Sequence, residues 1–218
     1  MEYLQSRAEY LSALLEQNIA DSNRADSVPY GVMYDDKQTG TTLANVGLPN
    51  PQISRQFIFG RNDNGDVQEP LTGGFLDDRI FGGGGDDRLL GGAGDDLLDG
   101  GAGDDILEGQ SGATIANGGA GRDTYRLWDG DGPLTIRGDD GLGLDGNKDV
   151  ISILGAVSYT LGNTQLQRLT AGSNVYSDDH YNLFALDGTT LQVNLEDGRR
   201  ISIEDFQSGD FGINLIVA

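Results

Sequence analysis

GGFLDDRIF (73–81), GGGGDDRLL (82–90), GGAGDDLLD (91–99), GGAGDDILE (100–108), GQSGATIAN (109–117) and GGAGRDTYR (118–126) follow one another without a gap. Four of these six units match G-G-x-G-x-D-x-U-x in full, where U is a large apolar residue. The first unit carries Leu76 at its fourth position but keeps Asp78 and Ile80. The fifth is degenerate, with Gln110 in place of Gly and Thr114 in place of Asp. A fainter unit starts at Asn64 and sets Glu69 at the acidic position and Leu71 at the apolar one. Self-similarity at a fixed short period marks a repeat architecture, and it decides the fold.

Nine residues of this kind predict half a coil: a six-residue turn, then a three-residue strand. The glycines permit positive φ and let successive turns approach closely. Ile80, Leu89, Leu98, Leu107 and Tyr125 are expected to point inward, with consecutive half-coils facing each other across a thin core. Two repeats complete one coil, so turns n and n+2 stack, at the ~4.8 Å spacing of hydrogen-bonded strands. The expected fold class is all-β, a parallel β-roll over residues 57–135.

That stacking sets Asp78 above Asp96, Asp87 above Asp105, and Asp105 above Asp123. Two carboxylates ~5 Å apart repel by roughly 1 kcal/mol in water and ~3 kcal/mol at an effective dielectric of 20. Several Ca²⁺ ions between the turns turn this opposition into cohesion, because calcium takes six to eight hard oxygens. The candidate ligand set is each acidic residue with the carbonyl-bearing glycines of its loop. It comprises Asp78; Gly82, Gly83 and Gly85 with Asp87; and Gly91, Gly92 and Gly94 with Asp96. It continues with Gly100, Gly101 and Gly103 with Asp105, and with Gly118, Gly119 and Gly121 with Asp123. Mg²⁺ serves poorly, since it demands a small octahedron and releases water reluctantly. Thr114 cripples the site it would share with Asp96, and Leu76 disturbs the loop of the Asp78–Asp96 site. The Asp87/Asp105 and Asp105/Asp123 pairs are therefore the leading sites, with Asp105 common to both.

The thin core makes ion binding part of folding. One buried apolar side chain per rung contributes ~1.5–3 kcal/mol, against ~1–2 kcal/mol of backbone entropy for each of nine residues. Apolar burial alone loses, so the ion-free array is expected to be unfolded or molten.

Residues 73–126 resemble the RTX (repeats-in-toxin, hemolysin-type) calcium-binding family. The resemblance implies a right-handed parallel β-roll, secretion to the cell exterior, and export by a type I secretion apparatus that reads an uncleaved C-terminal signal. It also implies an array unfolded in calcium-poor cytoplasm that folds outside, at affinities on the order of 10⁻⁴–10⁻³ M. An attached upstream effector domain is the implied partner. Two further expectations stand beside this module: the C-terminal part of a secreted hydrolase (lipase or protease) whose catalytic domain lies upstream, and an adhesin or surface-interaction segment.

Composition agrees with these readings. Gly supplies 35 of 218 residues, more than twice the usual ~7%. Asp and Glu outnumber Lys and Arg by 35 to 14, for a formal charge of −21. Such a surface repels nucleic acid and attracts cations. Without cysteine there is no disulfide or thiolate site, and no stretch approaches the ~20 apolar residues of a membrane span. The start Met1-Glu2-Tyr3-Leu4 lacks the features of a signal peptide.

Around the array, residues 1–56 are expected to form an N-terminal amphipathic helix (2–20, with Leu4, Ala8, Leu11, Leu15 and Ile19 on one face) and a proline-bearing polar linker (21–56). Residues 136–218 are expected to form a β-rich C-terminal cap and to hold the secretion signal. Its strands fall near 150–153, 182–186, 190–195, 200–203 and 214–217, with hairpin turns at Asp187-Gly188 and Asp197-Gly198. Asp145, Asn147 and Asp149 have the spacing of a partial calcium loop, though a plain polar turn is the preferred reading. Asp129, Asp131, Asp139 and Asp140 either extend the ion array or form a solvated surface. Trp128 is expected to pack the junction of roll and cap, and the single histidine, His180, to be a surface strand residue. No G-x-S-x-G elbow or H-E-x-x-H helix is present, so no enzymatic role is expected of this chain.

Overall fold

The computed structural model describes residues 31–44, 54–62, 70–137, 149–156, 158–161, 165–169, 174–207 and 210–215. The expected helix at 2–20 lies outside them, as do Glu69, Asp139, Asp140, Asp145 and Asn147. The chain is all-β: strands β1 (Gly31–Asp36), β2 (Thr41–Ala44), β3 (Ser54–Phe59) and β4 (Leu71–Thr72) precede the array. The array supplies β5 (Arg79–Gly84), β6 (Arg88–Ala93), β7 (Asp96–Ala102), β8 (Ile106–Ser111), β9 (Thr114–Ala120) and β10 (Thr124–Leu127). After it come β11 (Leu134–Ile136), β12 (Val150–Ile153), β13 (Tyr159–Leu161), β14 (Gln165–Arg168) and β15 (Val175–Ser177). The chain closes with β16 (Leu183–Asp187), β17 (Thr190–Asn194), β18 (Arg200–Ile203) and β19 (Asn214–Leu215).

Successive array strands alternate between two sheets, as half-coils must. One sheet runs β19-β14-β15-β16-β17-β18-β11-β9-β7-β5-β3-β1-β2, the other β13-β12-β10-β8-β6-β4. Within the array every pairing is parallel and offset by two units, so Leu98 lies beside Ile80 and Leu107 beside Leu89. The strands are longer than the expected three residues. They run on into the glycine pair of the next unit, where Gly83 pairs with Gly101 and Gly101 with Gly119.

Two facing columns make the core. Ile58, Ile80, Leu98, Ala116, Ile136 and Ile203 stack in register on one sheet, and Leu71, Leu89, Leu107, Tyr125, Ile151 and Leu161 on the other. All of these are buried. In one coil the smallest member, Ala116, is followed by the largest, Tyr125, whose hydroxyl accepts the Gly118 N–H at 2.6 Å. That pairing keeps the thin core filled where the degenerate unit lacks a large apolar residue.

The segment read as a linker does more than connect. β1 lies parallel to β3 and antiparallel to β2, so residues 31–44 extend the larger sheet before the first repeat. Phe59 stacks on Phe81 at 5.2 Å on the outward face of this extension, with Tyr34 beside them. At the other end the cap continues the same sheet. β18 joins β11 in parallel, and β15 to β18 then form an antiparallel meander. The turns at Gly188 and Gly198 take positive φ, as their hairpins require. Among the described residues no helix is long and apolar enough to cross a membrane.

Candidate metal centre

The loops that join the two sheets gather the acidic residues into two stacks, one on each edge of the solenoid. On one edge stand the loops ending in Asp87, Asp105 and Asp123; on the other, those ending in Asp78, Asp96 and Thr114. The stacking expected from the repeat period is present, and hydrogen bonds hold it. Asp105 Oδ1 accepts the Asp87 N–H at 2.7 Å, Asp123 Oδ1 the Asp105 N–H at 2.8 Å, and Asp96 Oδ1 the Asp78 N–H at 2.8 Å. Asp78, through the Gln56 N–H, and Asp96, Asp105 and Asp123 thus each satisfy a backbone donor one coil away with one oxygen.

The second oxygen turns into the loop. Asp96 Oδ2 and Asp105 Oδ2 are buried and accept no hydrogen bond. They lie against the first-position glycines, where a Cβ on Gly91 or Gly100 would overlap the carboxylate oxygen and the carbonyl of the next coil. The second and fourth glycines, such as Gly101 (φ 106°) and Gly103 (φ 132°), hold a left-handed backbone that curls the loop around this oxygen. Buried anionic oxygens, clustered carbonyls and no competing donor form an all-oxygen cradle of the kind a hard divalent cation needs. The residues present therefore fit calcium. Burial pushes the carboxyl of Asp105 up to about 8 and that of Asp96 up to about 7, with neighbouring aspartates adding to it and the backbone N–H bonds opposing it. A site that disfavours its own charge this strongly is one that a cation completes.

Not every predicted position is equal. Asp78 Oδ2 accepts the Gly74 N–H at 2.5 Å and Oδ1 the Gln56 N–H at 2.6 Å. Neither Gly74 nor Leu76 takes the left-handed conformation of its counterparts. The carboxyl of Asp78, raised by burial to about 6, is the least perturbed of the three, with Arg55 adding a lowering influence. At Thr114 the Asp96 N–H turns to the Ala113 carbonyl instead of a side chain. That edge then becomes apolar, since Leu134 pairs with Thr114.

Two features escaped the sequence reading. The fifth-position aspartates form a second, outer ladder that runs the opposite way. Asp77 Oδ1 accepts the Asp95 N–H and Asp86 Oδ1 the Asp104 N–H, both at 2.9 Å. The signal was the pair Asp-Asp, repeated at the same place in units one to four. The second feature corrects the reading of Asp149 as part of a plain polar turn. Asp149 is buried, and its Oδ1 accepts the Asp123 N–H at 2.7 Å, in the same way that Asp123 serves Asp105. The step is 26 residues rather than 18, which hid it from a search at fixed period.

Asp129 and Asp131 do not extend the stacks. Asp129 accepts the Ala156 N–H and Asp131 the Trp128 N–H. Trp128 does not pack a buried junction either: it is 44% exposed, and its indole N–H donates to Glu108 Oε2 at 3.1 Å. His180 sits in the turn before β16 rather than in a strand.

Residues 72–107 and 100–132 match the family model of the RTX calcium-binding nonapeptide repeat, in four copies. These coils are RTX calcium-binding repeats. The match covers the two acidic stacks up to Asp123 and stops short of Asp149. No curated protein matches the chain. The RTX array binds calcium, and its parallel solenoid is the expected β-roll.

Proposed function

We propose that the RTX array is a calcium-triggered folding module of a secreted protein. It passes through a type I export apparatus unfolded, then folds outside the cell and stabilises an attached effector domain. Its work is binding and folding rather than catalysis. The observation that carries this reading is the pair of buried Oδ2 atoms, on Asp96 and Asp105, that no hydrogen bond satisfies. A buried carboxylate without its partner opposes folding, so the solenoid is unfavourable at neutral pH until calcium arrives. Cytoplasm withholds calcium and the exterior supplies it, which makes the same ion the signal for location. In export, an unfolded chain fits a narrow conduit that a rigid solenoid does not.

Small-angle scattering tests the size change this requires. The metal-stripped chain should have a radius of gyration on the order of 50 Å, and the chain in millimolar calcium one approaching ~17–25 Å, the compact limit being ~17 Å for this length. Equal compactness in both conditions would overturn the proposal.

A further inference from the structure

The cap carries a cleft of about 580 Å³ that the RTX repeats do not use. Four turns converge on it. Asp129 comes from the segment after β10, Ala156 from the turn after β12, Tyr159 from the start of β13, and His180 and Tyr181 from the turn before β16. Glu196, Asp197 and Arg199 come from the turn between β17 and β18.

Two buried polar side chains hold these turns. Asn182, fully buried, donates to Asp178 Oδ2 at 2.8 Å and to the Tyr159 hydroxyl at 3.0 Å, and accepts the Glu196 N–H at 3.2 Å. Arg199 donates from Nη1 to the carbonyls of Leu127 and Leu154. Its Nε and Nη2 donate to Asp197 Oδ2, and Nη2 lies 3.3 Å from Asp129 Oδ1. A guanidinium has five N–H bonds; four donate to these oxygens, and Nη2 also ion-pairs with Asp129.

The cleft is thus rigidly built and short of donors. Four carboxylates (Asp129, Asp179, Glu196 and Asp197) line it; Asp129 and Asp197 share the one guanidinium, so the lining keeps a net negative charge. His180 turns Nδ1 to Asp179 Oδ1 at 3.0 Å and stacks flat on Tyr159 at 4.1 Å. Tyr181, 77% exposed, offers an aromatic surface beside them.

This chemistry selects among ligand classes. Anions are repelled. A sugar hydroxyl both donates and accepts, and the framework leaves it few donors to accept from. A metal ion at the nearby Asp178–Asp179–His180 group meets an Asp178 carboxylate already taken by the N–H groups of His180 and Asn182 and the Asn182 amide. An alkylammonium group suits every feature. It has three donors and no acceptor, its charge complements the carboxylates, and its apolar stem can lie on an aromatic ring.

We propose that this cleft binds a primary alkylammonium group, such as the end of a lysine side chain or of a diamine. Calorimetric titration of the calcium-loaded chain with n-butylammonium chloride at low salt tests it. Saturable millimolar binding to one site is expected, with methyl β-glucoside giving none. Glu196→Gln and Tyr181→Asn, the latter an exchange that the left-handed backbone at Tyr181 (φ 62°) tolerates, should each weaken it at least several-fold while leaving the calcium-loaded circular dichroism spectrum unchanged. Nα-acetyl-lysine methylamide and 1,5-diaminopentane, run in parallel, distinguish a protein side chain from a free diamine as the source. Absence of butylammonium binding, equal binding of the glucoside, or unaltered affinity in both folded variants overturns the proposal. None of these results would bear on calcium binding by the repeats, because the spectrum reports that separately.

Discussion

Asp105 and Asp78 occupy the same position in the repeat, yet their carboxylates face different demands. Asp105 is stacked between Asp87 and Asp123, its Oδ1 holds a backbone N–H, and its Oδ2 has no donor. Asp78 stands at the start of its stack, and backbone N–H groups satisfy both its oxygens. Replacing Asp105 by Ala removes a charged ligand from two intervals of the stack, whereas replacing Asp78 removes one whose oxygens are already engaged. Asp105→Ala should therefore weaken calcium binding at least tenfold, about 1.4 kcal/mol, and Asp78→Ala by less than ~3-fold. Fluorescent-indicator competition measures both, and equal losses would break the register assigned to the stacks. This ranking was legible before the structure, because Leu76 and Thr114 stand where glycine and aspartate belong. The reason for it was not: which donor satisfies Asp78 depends on Gln56, 22 residues away and outside any repeat.

An acidic stack behaves as one element, and its protons and ions compete. Burial raises the carboxyls of Asp78, Asp96 and Asp105 from an ordinary value of 3.8 to about 6, about 7 and about 8. With raised values the folded, ion-free form holds more protons than the unfolded chain, so its stability falls as pH rises from about 4 to about 8. Calcium requires the same carboxylates charged, so its affinity rises over that interval. The ion-free chain should hold more β structure at pH 5 than at pH 8, while the apparent calcium Kd should be lower at pH 8. Circular dichroism in chelator and calcium titrations at the two pH values check this, and either trend reversed would mean the buried carboxylates are not the linked groups. At this scale the period of nine predicted the stacking and the part of both core columns that Ile80, Leu89, Leu98, Leu107 and Tyr125 supply; Ile58, Ala116, Ile136, Ile203, Ile151 and Leu161 were not foreseen. It missed Asp149, because the step from Asp123 is 26 residues rather than 18. Periodicity sees only constant spacing, whereas the stack requires only that the residue arrive in register.

Across the whole molecule one sheet changes character without interruption, from β2 and β1 through the parallel coils to the antiparallel meander of the cap. Cap strands β12, β16, β17, β18 and β19 and the Asp-Gly hairpin turns could be placed from apolar runs and Asp-Gly pairs, whereas β13, β14 and β15 were not. The cap's continuation of the solenoid's own sheet could not be placed, because strand neighbours distant in sequence leave no local mark. β1 and β2 were hidden for a related reason: they carry no repeat, and their order comes from pairing, β1 with β3 and β2 with β1. Each coil adds little apolar burial and stacks carboxylates in a chain of net charge −21, so cohesion is expected to depend on a bound cation. The most direct measurement is a far-UV circular dichroism titration of the metal-stripped chain at neutral pH with CaCl₂, and with MgCl₂ in parallel. The account predicts a cooperative change from coil to β with calcium between micromolar and millimolar concentrations, and little response to magnesium. A metal-stripped chain already fully β-structured and unmoved by calcium would contradict it.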